Sequence, residues 1–340
     1  MATQEAQTIK KSQFIFSTAL FEEQTARYAK QAVIHFRRLT RGYALFHMGY
    51  LVLGIIELFA LLLFFPLFLK SSLIAFTLAA LFLTAFSYFV LRFYFEAKKP
   101  EQFIELKERF VATCKKALPV ENPLAVTQAV YIFLSELEGQ EVQYYPLPKL
   151  LETLKPLMEK LSLWCHFQDV HLMKEHLHQY CIDQRIEYVK KQPVNIEAHT
   201  LLAQSYIALY KLYLDPRKSG KEVPYPFMLH EYSSEATVKK FQAVTRRALE
   251  ELKILDAYTP NNPWVHAQMA AIYHDLGILE KEIEEYEILL RISPNDSLLL
   301  YRLGLLYFQY GKASTGLKIY EQLKKNQDPK ADQLIQKYEG

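Results

Sequence analysis

Hydrophobic and polar positions change character twice along the chain. From Gly49 to Leu69 the sole charge in 21 residues is Glu57, and from Ser71 to Leu91 there is no charge in 21 residues. As helices, runs of that length extend about 31 Å at about 1.5 Å per residue, which matches a hydrocarbon core of about 30 Å. A surface helix of a soluble protein keeps a polar face, and these two runs have none. The pattern predicts two transmembrane helices joined through Leu69–Ser72, a turn too short to hold a domain. Beyond Lys99 apolar residues recur at three and four and alternating β-branched runs are absent, so the rest of the chain reads as helical. Turn signals at Leu118-Pro119, Asn122-Pro123, Tyr145 to Pro148, Gln192-Pro193, Pro216 to Pro226, Pro260 to Pro263, Pro294-Asn295 and Asp328-Pro329 cut it into helix or helix-pair lengths.

The expected fold is therefore all-α. A basic amphipathic segment (1–42) precedes a transmembrane hairpin (43–94), and an irregular helical region (95–192) leads to a repeat region (193–340). Residues 13–40 place Phe14, Phe16, Leu20, Phe21, Tyr28, Ala32, Phe36 and Leu39 among basic and polar positions. That spacing fits a helix lying at the bilayer interface, and equally a helix packed on the rest of the protein.

The flanks orient the hairpin. Arg27, Lys30, Arg37, Arg38 and Arg41 precede the first span and Arg92, Lys98 and Lys99 follow the second, while Lys70 alone marks the turn. By the positive-inside rule both termini are expected in the cytoplasm. A cleavable signal is not expected, since more than forty residues come first and no small-residue cleavage site follows the first span. Glu57 falls about 12 Å into the first span by helical rise. An acid at that depth is a candidate for proton relay or helix pairing, with Thr84 and Ser87 at similar depth on the second span as hydrogen-bond partners; the alternative is a structural Glu.

Charge and composition narrow the class. Residues 1–99 carry 11 Lys/Arg and 5 Asp/Glu, whereas the remainder is slightly acidic, so no basic face for nucleic acid is expected. The cysteines Cys114, Cys165 and Cys181 give neither a disulfide framework nor a CxxC pair. GxxxxGK[ST], GxGxxG and GxSxG stretches are absent, which removes sequence support for a phosphate cradle or a nucleophile elbow. One cluster suggests a metal: Cys165, His166, His171, Glu175, His176, His178 and Cys181, in which His171, Glu175 and His178 share a helix face. It matches neither HExxH nor HxxEH, and partly exposed histidines are the commoner explanation, so no metal, cofactor or catalytic residue is expected.

The most informative feature is an internal repeat. A shift of 34 pairs Met269 with Leu303, Ala270 with Gly304, Tyr273 with Tyr307, Gly277 with Gly311, Ile283 with Leu317, Tyr286 with Tyr320 and Leu289 with Leu323. Asn195–Ile207 carries Leu202, Ala203 and Tyr206 at matching places. The pattern resembles the tetratricopeptide repeat family over 263–330, and more loosely over 196–262. Glu282 stands where a small residue is usual, and Pro193 and Pro260 are 67 residues apart, which suggests either an insertion over 211–232, the favoured reading, or a degenerate repeat there. The resemblance implies an α-solenoid capped by 330–340, of the membrane-anchored bacterial type, hence a bacterial inner membrane. It also implies a concave groove lined by Trp264, Gln268, His274, Tyr301, Arg302, Leu305 and Phe308 that takes a protein or peptide; the alternative is that some of the aromatics pack against a capping helix or the Pro-rich insertion.

The leading functional expectation is a non-enzymatic scaffold with two partners, the lipid bilayer and an unidentified protein. A second is a membrane-shaping hairpin, whose layout resembles the bilobed hydrophobic domain of inclusion-membrane proteins secreted by intracellular bacteria. A metal-dependent enzyme built on the His/Cys cluster comes last.

Overall fold

The computed structural model describes residues 2–63, 73–117, 123–142, 144, 153, 155–219 and 232–339. The turn at Lys70 and the greater part of the expected insertion, 220–231, lie outside the described residues. Among the described residues there are eleven α-helices and no strand: α1 (Ala2–Leu63), α2 (Leu73–Ala117), α3 (Pro123–Leu137), α4 (Lys155–Lys191), α5 (Ile196–Tyr213), α6 (Glu235–Tyr258), α7 (Pro263–Leu276), α8 (Leu279–Ile292), α9 (Ser297–Gln309), α10 (Ala313–Lys325) and α11 (Lys330–Glu339). The chain divides into two compact units, Met1–Gln184 and Arg185–Gly340. The division falls inside α4 rather than at Pro193, because Arg185 donates to the Leu201 carbonyl and the Ser205 hydroxyl at 2.5 Å each and so belongs with α5.

In the first unit α1 and α2 are antiparallel, since Tyr43, Tyr50 and Glu57 meet Gln102, Ser87 and Thr84 in that order. Both are long and apolar enough to cross a membrane, and their apolar windows are not buried inside the protein. Leu51, Ile55, Phe59 and Leu62 on α1 and Phe82, Phe86 and Phe89 on α2 point outward and exposed. One end of this pair is pinned by aromatic packing, with Phe46 edge-on to Phe95 at 4.8 Å and stacked on Tyr88 at 6.0 Å. Such ring pairs contribute about 0.5–1.5 kcal/mol each beyond their buried area.

Neither helix stops where its apolar run ends. The earlier part of α1 buries Ala29, Ala32, Val33 and Phe36 against Phe103 and Phe110 of α2, Val130, Phe133 and Leu137 of α3, and Val170, Met173 and Leu177 of α4. Residues of the expected basic segment, from Ala29 to Phe36, thus share one core with residues of the helical region between Phe103 and Cys181. The side chains of Phe14, Phe16 and Leu20 lie outside those described. Gly42 and Gly49 are both inside the continuous α1. Phe36, Phe103 and Phe133 are fully buried, and emptying one of these positions, as in Phe103→Ala, costs about 3–5 kcal/mol.

In the second unit the helices pack in chain order. α5 pairs with α6, α7 with α8 and α9 with α10; α6 also meets α7, α8 meets α9, and α11 packs on α9 and α10. The first helix of each pair starts the same way. Asn195 accepts from the amides of Glu197 and Ala198, Asn262 from that of Trp264, and Asp296 from those of Leu298 and Leu299. Each such cap is worth about 1 kcal/mol. The turns that follow α7 and α9 use Gly277 and Gly311 at φ 73° and 77°, a left-handed conformation that costs glycine nothing and a Cβ-bearing residue about 1 kcal/mol or more.

Candidate interaction site

The face expected to bind a partner is assembled from the first helix of each pair. Tyr210 of α5 hydrogen-bonds Asp275 of α7, and Arg302 of α9 lies 3.3 Å from Nδ1 of His274 on α7, so these helices are neighbours on one side. Ala267, Ala271, His274 and Leu298 are exposed on that face, while Trp264, Gln268, Tyr301, Arg302 and Leu305 are half-buried. Phe308 is placed differently from the rest. Its ring stacks on Tyr338 of α11 at 4.2 Å, and a Cβ built on Gly316 would meet it at 2.5 Å, so it is engaged in closing α9 onto α10 and α11.

A buried carboxylate stands at position 282 with two partners from the neighbouring helices. Glu282 of α8 is 2% exposed; His274 Nδ1 lies 3.1 Å from its Oε2 and Arg302 donates to its Oε1 at 3.4 Å. One pair later, 34 positions on, the corresponding residues are Phe308 and Gly316, with the ring lying over the glycine. One pair thus uses a charged contact where the next uses an apolar one. Arg302 and His274 are held by this buried acid, which fixes where they stand on the exposed face.

The sequence reading did not single out a pair of histidine brackets. His199 lies 2.8 Å from Glu251 through Nδ1 and 3.0 Å from the Pro193 carbonyl through Nε2. His266 repeats this with Glu285 at 2.8 Å and the Pro260 carbonyl at 2.9 Å, and Asp256 lies 3.4 Å away. Both ring nitrogens face oxygens that accept, and a neutral imidazole offers a single N–H, so the geometry favours the imidazolium. Burial works against that charge, but the bonds to the glutamate and the proline carbonyl outweigh it and raise both histidines above their ordinary range. The signal was present as a proline followed six residues later by histidine, at 193/199 and 260/266. The glutamates, 34 positions apart, show that α5 and α6 meet as α7 and α8 do, although 21 residues separate α5 from α6.

Where the outward-facing apolar pair begins, the first unit holds a buried polar cluster. Lys99 donates to Asp169 at 2.8 Å, Arg41 donates to the Tyr144 carbonyl at 2.7 Å, and the Tyr144 ring stacks on His166 at 3.8 Å. Thr40 hydrogen-bonds the Tyr144 hydroxyl, and Ser162 donates to the Glu141 carbonyl at 2.6 Å. Burial, with Lys99 and Arg41 nearby, pushes His166 down to about 4, so it is neutral. Asp169 is pushed up by burial and drawn back by Lys99. Complementary charges set deep beside the start of the apolar pair fix α4 to α1 and α2.

The polar residues of the apolar pair meet in part. Thr84 donates to Glu57 Oε1 at 2.8 Å, while Ser87 donates to the Thr84 carbonyl at 3.0 Å and takes the Tyr50 hydroxyl at 3.5 Å. Glu57 Oε2 is buried with no hydrogen-bond partner among the described residues. On α4, His166 and Cys181 turn into the core while His171, Glu175 and His178 lie on other faces, half-buried. Among the described residues no group of three or more His, Cys, Asp or Glu is placed to hold a metal ion.

Compared with models of known protein families, the chain matches none, and no curated protein matches it in sequence.

Proposed function

We propose that the protein is a membrane-anchored scaffold of the tetratricopeptide-repeat type. In this reading α1 and α2 span a bacterial inner membrane as a hairpin with both termini cytoplasmic, and the second unit presents an α-solenoid whose groove gathers a protein partner. The observation that carries it is the twice-repeated bracket, His199 to Glu251 and His266 to Glu285, with the glutamates at the 34-residue period. It supports treating α5 and α6 as one repeat interrupted by an insertion, which brings the number of helix pairs to the three that a stable stack generally needs. Large exposed apolar surfaces on α1 and α2 are untenable in water and support the anchor. Trp264, Tyr301 and Leu305 supply rigid contact area for a partner segment, with Arg302 and His274 setting its polarity. Fold alone does not name a function, so the scaffold reading rests on this face.

Cross-linking affinity mass spectrometry from native membranes tests it. The full-length protein is compared with a Trp264→Ala, Tyr301→Ala, Leu305→Ala variant of matched helicity. A partner enriched by the first and lost by the second is the expected result. Recovery of the same set by both, or of lipid and self alone, contradicts the groove.

A further inference from the structure

We propose that the first three turns of α4 form a third membrane contact, seated in the headgroup layer of the leaflet from which the hairpin emerges. This rests on the reading of α1 and α2 as a membrane hairpin. Leu157 and Trp164, one heptad apart on α4, are 62% and 67% exposed and face away from the core, with Leu161 half-buried between them. Together they make one outward apolar stripe on α4 rather than a single scattered apolar residue.

What covers this face follows from its height. Lys99 of α2 pairs with Asp169 of α4, and farther along Tyr180 of α4 lies within electrostatic range of Cys114 of α2, so the two helices run in the same direction. Moving backward along α4 from Asp169 therefore leads toward the apolar pair, as moving backward along α2 from Lys99 does. Leu91, the last residue of the second apolar run, is about 12 Å above Lys99 by helical rise; Leu161 is about 12 Å above Asp169, Leu157 about 18 Å and Trp164 about 7 Å.

An independent tie on α1 agrees. Thr40, Tyr144 and His166 stand at one level. Gly49, where the first run begins, is about 13 Å above Thr40, and Leu157 is about 13 Å above His166. The first tie sets Leu161 at the hydrocarbon edge with Leu157 about 6 Å inside it, the second sets Leu157 at the edge, and together they leave Trp164 about 5–10 Å outside it, level with the Tyr43, Phe46 and Phe95 ring cluster. That depth is the headgroup layer, where tryptophan is favoured because one end of the ring is apolar and the N–H is wet. Lys155 and Lys160 are exposed on the same turns and suit anionic headgroups. The occupant is thus the phospholipid interface, continuous with the lipid that covers α1 and α2.

The test uses tryptophan fluorescence of the full-length protein in vesicles of phosphatidylethanolamine and phosphatidylglycerol. The chain has two tryptophans, so Trp264→Phe leaves Trp164 as the sole emitter, and Trp264→Tyr serves if that variant does not fold. Expected are blue-shifted emission, quenching at least twofold stronger by a lipid with its doxyl group at carbon 5 than at carbon 12, and protection from aqueous acrylamide. A companion variant, Trp164→Phe with Trp264→Phe and Phe82→Trp, reports the middle of the second span and should show the reverse order of lipid quenching. If the companion is quenched by lipid and Trp164 is quenched by acrylamide alone, the third contact is wrong and the hairpin stands. Blue-shifted Trp164 emission without lipid quenching means a protein covers the face, which also overturns the proposal. If neither site is quenched by lipid, the hairpin reading fails and takes this inference with it.

Discussion

His266 is held 2.8 Å from Glu285 on one side and 2.9 Å from the Pro260 carbonyl on the other, between acceptors that only an imidazolium can satisfy together. Its counterpart His199 is held in the same way by Glu251 and Pro193. Burial opposes the charge and the oxygen partners override it, so both histidines titrate above their ordinary value of 6.5. A group raised in this way adds its full stability below that ordinary value and loses it as pH rises through the folded-state value. The second unit is therefore expected to lose protection in hydrogen–deuterium exchange as pH rises above 6.5 through the raised folded-state value. Replacing both histidines with glutamine should cost about 1–3 kcal/mol at pH 6 and flatten this alkaline loss.

The first unit should respond in the opposite direction. Burial, helped by Lys99 and Arg41, holds His166 at about 4, so its neutral form is built into the core against Tyr144. A histidine lowered on folding contributes stability that is present above 6.5 and is lost as pH falls toward 4. Asp169, raised by burial, offsets part of the loss at the acid end. Exchange protection in α3 and α4 up to Gln184 should drop on acidification from pH 7 to pH 5 while that of α7 and α8 is retained. His166→Phe, which keeps the stacked ring without a titrating nitrogen, should remove most of the acid sensitivity.

Glu282 is buried, and Arg302 and His274 are its partners. Arg302→Ala leaves the carboxylate with one weak partner and should cost about 1–3 kcal/mol. Glu282→Ala removes the buried carboxylate together with its need for partners and should cost less. In a double-mutant cycle read by chemical denaturation, Arg302→Ala made in the Glu282→Ala background should be nearly neutral, giving a coupling of about 1 kcal/mol or more. Equal costs in the two backgrounds would mean that Arg302 stands on the exposed face without help from Glu282.

Within the apolar pair, Thr84 donates to Glu57 at 2.8 Å. Interhelical hydrogen bonds in lipid are worth about 0.6–2 kcal/mol. Glu57→Leu and Thr84→Val should each weaken the hairpin by that amount in bicelle unfolding, and their combination should cost little more than either alone. Glu57→Gln, which keeps an acceptor for Thr84, should stay close to the native protein.

Much of the helical layout was legible because it depends on short-range chemistry. Pro, Asn and Asp at 193–195, 260–262 and 294–296 mark helix starts whatever the partner, and Gly277 and Gly311 mark turns that need positive φ. The apolar runs declare themselves by length. What stayed hidden depends on long-range placement. Periodicity shows that Phe36 lies on an apolar face, but it does not show that this face meets Phe103 and Phe133 rather than lipid. Glu282 reads as a misfit until Arg302, 20 residues away, is brought beside it. Phe308 reads equally as an anchor and as packing under a cap until Tyr338 is seen to stack on it.

The most direct measurement of the scaffold claim places a photo-cross-linking amino acid at Ala271, exposed on α7, and in a second protein at Lys281, exposed on α8. Both are irradiated in intact cells. One discrete protein adduct is expected from position 271, lost when Trp264→Ala and Tyr301→Ala are added, and none from position 281. Equal capture at the two positions, or an adduct at 271 indifferent to those substitutions, would contradict a partner seated on the face formed by α7 and α9.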